Sequence, residues 1–132
     1  MEKQNEKKRV VIYYRVATKK NDDIGLDSQR DELRRYAAEK GYTIVEEIGE
    51  VAKGSTLRRA GIRRVYQLGR KGKKDKVLVC SSSRIARPLR LLIAFCDRLS
   101  GYGIEAESPR EGSLDKVCKK LKEIREKFPN FG

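Results

Sequence analysis

Four arginines and two short hydroxyl-bearing segments carry the chemistry this sequence can offer. Arg15 follows the apolar run VVIYY, Arg59 ends the stretch VAKGSTLRR, and Arg84 and Arg87 stand three apart in SSSRIAR. A guanidinium is planar, permanently charged and forked, a shape that matches the oxygens of a phosphate. Taken singly, each has the ordinary reading of a solvated surface cation. Arg84 and Arg87 fit that reading poorly, because cations at the start of a helix oppose its macrodipole and call for a compensating anion. Gly54, Ser55 and Thr56, beside Lys53, form a flexible polar loop able to approach such an anion, although most segments of this kind are simply turns. Ser81, Ser82 and Ser83 read as further phosphate ligands at the same edge. The segment GRKGKKDK, 69–76, lacks the spacing and the terminal Ser/Thr of a P-loop and reads as a basic surface loop.

The same composition closes other routes. With no histidine, a Ser-His-Asp or Cys-His pair and a His-containing zinc site are excluded. Cys80, Cys96 and Cys118 are odd in number, far apart and set among apolar residues, which suits reduced core thiols rather than disulfides or a metal cluster. No cofactor or metal is expected. The 32 Lys+Arg against 19 Asp+Glu leave a net charge of +13, a field that draws a polyanion, so DNA is the first partner to consider. The bland alternative for such a charge is a well-solvated surface. No apolar stretch approaches the ~20 residues of a membrane span or a signal sequence, so the reading is a soluble, cytoplasmic protein with no membrane partner.

The elements that must position these residues follow from periodicity. At 132 residues the chain has room for one domain, expected over 1–132, with a flexible polar tail at 1–8. Val10 to Tyr14 is a continuous, β-branched and aromatic run, the pattern of a strand covered on both faces. Leu26, Leu33 and Ala37 recur at helical spacing, with Asp27 as N-cap and Gly41 as stop. A second strand is expected over Thr43 to Ile48, a second helix with Ile62, Val65 and Tyr66 on its apolar face, and a third strand over Val77 to Cys80. Pro88 suits the first turn of a helix striped by Leu89, Leu92, Ile93, Cys96 and Leu99. A short strand over 103–107 then leads to a C-terminal helix, 113–128, capped by Ser113 and striped by Leu114, Val117, Cys118, Leu121, Ile124 and Phe128. Its stripe either packs on its own sheet or makes a subunit contact, and its shortness favours the former.

Alternating strands and helices imply an α/β domain: a mainly parallel central sheet of about four to five strands with helices on both faces, three layers in all. Ligands of such sheets lie outside the carboxyl ends of the strands. That rule gathers Arg15 and Ala17, the VAKGSTLRR loop and SSSRIAR at one edge.

The succession YYRVAT, GLDSQRDELRRYAAEKGY, KGSTLRRAGI and VLVCSSSRIARP resembles the catalytic domain of the resolvase/invertase family of serine recombinases, over about residues 9 to 108. The resemblance implies DNA strand exchange in which a serine at the end of the first strand attacks a phosphodiester and forms a covalent phosphoserine link, with arginines rather than an obligatory metal stabilising the transition state. It implies that Arg15 is the arginine beside the nucleophile, Gln29 the glutamine opening the first helix, Arg59 the arginine at the start of the second helix, and Arg84 and Arg87 the pair after the third strand. It also implies a homo-oligomer or a recombinase partner.

Three positions depart from that pattern. Ala17 stands where the nucleophile belongs, Lys53 replaces a serine, and Ser83 replaces an aspartate. Alanine has no oxygen to attack with. Three accounts fit: catalysis was lost and the fold kept, the residue was changed to trap a complex, or another hydroxyl serves. Neighbouring side chains on a strand point to opposite faces, which argues against Thr18 as that hydroxyl. The expectation is thus a serine-recombinase-type domain with doubtful cleavage. The alternatives are an inactive homologue that regulates exchange by binding DNA or a recombinase, and a basic nucleic-acid-binding module unrelated to recombination, which would require the arginines not to converge. Relatives continue through a long helix into a DNA-reading domain, and no such domain is expected in this sequence.

Overall fold

The computed structural model describes residues 8–18, 25–72 and 74–128; most of the expected polar tail lies outside them. Five strands form one sheet: β1 (Arg9–Val16), β2 (Thr43–Val51), β3 (Lys76–Leu78), β4 (Glu105–Ser108) and β5 (Gly112–Ser113). Their order is β2-β1-β3-β4-β5, the first four parallel and β5 antiparallel to β4. The helices are α1 (Leu26–Lys40), α2 (Ala60–Arg70), α3 (Leu89–Gly101) and α4 (Leu114–Lys127), with a 3-10 turn at Ser82–Arg84.

β1 lies between β2 and β3, and its alternation feeds two cores. Val10 and Ile12 pack with Leu33 and Ala37 of α1, whereas Val11 and Tyr13 pack with Ile62, Val65, Phe95 and Leu99 of α2 and α3. α1 therefore covers one face and the other helices cover the opposite one, the expected three-layer α/β arrangement. All three cysteines are buried free thiols.

Several boundaries differ from expectation for physical reasons. β1 runs past Tyr14 because its pairing with β2 continues through Arg15↔Glu50 to Val16↔Val51. β3 stops at Leu78, leaving Val79 and Cys80 outside the strand. Gly103, at φ 77°, belongs to the turn before β4, which begins at Glu105. Asp27 is not the N-cap of α1: Gly25 holds that position without a side-chain bond, and Asp27 in the first turn pairs with Arg30. Gly41 closes α1 in the left-handed region as expected, and Ser113 caps α4 by accepting from the Lys116 N–H. Pro88 is the N-cap of α3, one position earlier than a first-turn residue. The stripe of α4 is covered most fully at its start: Leu114 and Cys118 are buried, Val117, Leu121 and Ile124 are half-buried, and Phe128 is 60% exposed. Within 69–76, Gly69 and Arg70 end α2, and Lys74 turns inward to donate to the Val65 carbonyl at 2.7 Å, so this is not wholly a surface loop. Among the described residues no helix is long and apolar enough to cross a membrane.

Candidate functional site

The carboxyl edge of the sheet is built around Arg15. Its side chain, 1% exposed, leaves β1 and reaches both neighbouring loops. Nε donates to the Arg84 carbonyl, Nη1 to the Ala52 carbonyl and Nη2 to the Ser83 carbonyl, each at 2.7 Å. One guanidinium thus ties together the end of β1, the loop after β2 and the turn after β3. Gly54 makes this possible, since a Cβ there would lie 2.7 Å from Nη2 of Arg15. The loop at Gly54 is therefore closely packed rather than open: Gly54 is buried and its carbonyl accepts from the Arg87 N–H at 3.0 Å.

Arg59, 4% exposed, is a second clasp. Its nitrogens donate to the carbonyls of Lys53, Thr56 and Ile85, to the Tyr13 hydroxyl and to Glu50. Those contacts take all the donors a guanidinium has. Glu50 in turn accepts from Tyr13 Oη at 2.5 Å and caps α2 through the Gly61 N–H at 2.9 Å. Burial and the Glu50 carboxylate push the Tyr13 hydroxyl upward, so it stays protonated and can donate.

Gln29 performs a backbone task. β3 ends opposite Ile12, so the peptide groups of Arg15 lack a strand partner on that side. The buried Gln29 side chain supplies one, donating to the Arg15 carbonyl at 2.9 Å and accepting from its N–H at 3.3 Å.

Arg84 and Arg87 differ from the two buried arginines. Arg84 is half-buried and sends Nη1 to the Arg15 carbonyl at 3.2 Å, two residues from half-buried Ala17. Arg87 is exposed. Neither opens the long helix in the expected way: Arg84 closes the 3-10 turn and Arg87 precedes the N-cap Pro88, so the dipole argument applies to Arg87 and not to Arg84. Burial first, then the charges of Arg59, Arg84 and Arg87, lower the pKa of Arg15, the mark of several cations held close together. Lys53, Ser55 and Ser83 are exposed around them. Ser83 and Ser81 share a hydrogen bond at 2.9 Å, whereas both donors of Ser82 are held by the Glu111 carboxylate at 2.7 and 3.1 Å. Tyr13, Glu50 and Glu111 are the site residues that pattern reading misses. Glu50 carries no local signal, since Glu46 and Glu47 stand in the same strand, TIVEEIGEV, and only the fold sets Glu50 against Arg59.

The family model described as Resolvase, N terminal domain, matches residues 10–123. This chain belongs to that resolvase family. Its fold is that of the N-terminal catalytic domain of TP901-1 integrase, with TM-score 0.82 and 22% identity over 92% of this chain and 99% of that one. The C-terminal catalytic domain of ISC1926 TnpA, an IS607-like serine recombinase, gives 0.69 and 28% over 91% and 82%. A resolvase family site-specific recombinase from Streptococcus pneumoniae gives 0.75 and 22% over 92% and 89%. No curated protein sequence matches the chain. Within the resolvase family frame, the arginines anticipated from sequence fall at one sheet edge, two buried as clasps and two at the surface.

Proposed function

We propose that this domain binds the phosphodiester backbone of DNA at the carboxyl edge of its sheet, as a serine-recombinase-type strand-exchange domain whose bound phosphate meets no attacking oxygen. The observation that carries the reading is Arg15, which draws the segment holding Ala17 and the turns bearing Arg84 and Arg87 to one edge. In this reading Arg84 and Arg87 contact the phosphate, with Lys53, Ser55 and Ser83 around them. Arg15, Arg59 and Gln29 are positioning residues that hold the loops. Ala17 favours a second reading from a different class, an inactive homologue that binds DNA or a recombinase partner, itself or another, and regulates exchange in the cytoplasm.

The substitution Ala17→Ser separates the two. The introduced hydroxyl would form an oxygen–phosphorus bond as one strand oxygen leaves phosphorus and takes up a proton, so a nicked duplex should yield a protein–DNA adduct resistant to denaturant. Adding Arg84→Ala should suppress the adduct on the order of 100-fold or more, since the developing charge loses a preorganised donor. Adduct from the unsubstituted protein would overturn this account of the site. No adduct from Ala17→Ser, with DNA binding demonstrated, would favour the regulatory reading.

A further inference from the structure

The charge on the helices is unevenly distributed. α1 has four acidic and four basic residues, and its Arg30 and Arg34 pair with Asp27, Asp31 and Glu47. α2 has no acidic residue, and the one on α3, Asp97, pairs with Lys122 of α4. Arg63 and Arg70 of α2, and Arg90 and Arg98 of α3, are all exposed, and among the described residues none makes an ion pair. The two helices lie side by side: Tyr66 of α2 packs on Phe95 of α3 at 5.8 Å and on Tyr102 at 6.4 Å. Arg98 lies over the Tyr66 ring at 4.6 Å and donates from Nε to the Tyr102 hydroxyl at 3.1 Å, and Arg98 first, then Arg70, hold the pKa of that hydroxyl down. Two cations therefore bear on one phenol, and among the described residues neither has a carboxylate partner. Like charges placed this close are unfavourable unless an anion joins them.

We propose that the outer face of α2 and α3 is a basic track that binds the phosphate backbone of a DNA duplex as it leaves the carboxyl edge of the sheet. The inference rests on the DNA-binding reading above and adds the path of the duplex. Both helices begin beside the candidate site, just after the loops that Arg15 clasps, and run away from it. Arg63 and Arg70 are seven residues apart, about 10 Å of helix. A DNA strand presents a charge about every 3.4 Å along the duplex axis, so the track spans about three phosphates. A series of exposed arginines with interleaved tyrosines, whose one acid, Asp97, is already paired with Lys122, matches a polyphosphate backbone better than a folded acidic protein surface, which mixes both signs.

The test is binding of a random-sequence 25-base-pair duplex across a salt series, for the parent, Arg90→Ala, the triple variant Arg63→Ala, Arg70→Ala and Arg90→Ala, and Arg35→Ala on the exposed side of α1. Each phosphate contact contributes about 0.9 to the slope of log affinity against log salt. The expected slope is shallower by about 1 in the single variant and by about 2 to 3 in the triple, and unchanged in Arg35→Ala. Slopes equal to the parent's in the single and triple variants, or an equal loss in Arg35→Ala, would overturn the track. A parent that binds duplex through Arg84 and Arg87 but ignores the triple change would overturn the track alone, whereas a parent that binds no duplex would overturn the DNA-binding reading with it. Loss of poly-glutamate binding in the triple variant, with duplex binding intact, would assign the face to an acidic protein instead.

Discussion

An arginine at the mouth of a buried strand is held there by carbonyl oxygens, and this decides what each site residue can do. Arg15 and Arg59 spend their donors on the backbone of loops, so their removal should disturb geometry before it disturbs charge. The sharpest case is Glu50, which shares a buried ion pair with Arg59 at 3.3 Å while capping α2. Glu50→Ala leaves an uncompensated guanidinium in the core and should cost about 3–5 kcal/mol in urea unfolding. Arg87→Ala, at an exposed position, should stay within about 0.5 kcal/mol. Similar losses from both variants would show that Arg59 is not the clasp described. Gly54→Ala tests the same geometry by intrusion: the new methyl meets Nη2 of Arg15, and the forced shift should cost about 1–3 kcal/mol and weaken DNA binding together.

At the scale of elements, the segment after α2 contains a pH-dependent cost. Lys74 is 3% exposed, and burial holds its ammonium down to about 8 against its ordinary 10.5, with Glu46 offsetting only part of this. Because the folded pKa lies below the unfolded one, the unfolded chain binds more protons between about pH 8 and 10.5, and stability gains a rising component across that window. Below pH 8 the penalty is fully present. Lys74→Met should remove that component; a parent and variant with parallel stability curves from pH 7.5 to 10 would refute the assignment. Lys74 also shows where sequence reading runs out. In GRKGKKDK every lysine has the same local context, and only the fold sets one against the Val65 carbonyl. The alternation of strands and helices was legible because Val10 to Tyr14 and the α3 stripe carry their own periods. The true end of β1 was not, since Arg15 reads as a breaker until carbonyls 37 and 69 residues away satisfy it. The same holds for the site: the arginines' convergence follows from strand topology, but which are buried clasps and which are open depends on contacts that no local pattern encodes.

For the whole molecule, a charge of +13 acts on stability as well as on partners. Self-repulsion opposes the compact state, and part of it arises where Arg15, Arg59, Arg84 and Arg87 meet, since burial and then their mutual field lower the pKa of Arg15. Two stabilising effects of salt should therefore be separable. Sodium chloride screens the general field and should raise Tm gradually for every variant. Inorganic phosphate at the same ionic strength should add a saturable increment, because an anion seated between Arg84 and Arg87 binds only the folded chain. At ten times its dissociation constant that increment is about 1.4 kcal/mol. For a domain of this length it corresponds to several degrees, well within the resolution of a melting curve. Arg84→Ala with Arg87→Ala should abolish the phosphate increment while leaving the chloride trend, and Arg63→Ala with Arg90→Ala should reduce the chloride trend while leaving most of the increment. If phosphate and chloride stabilise the parent equally at matched ionic strength, the sheet edge holds no discrete anion site and the charge acts only as a diffuse field.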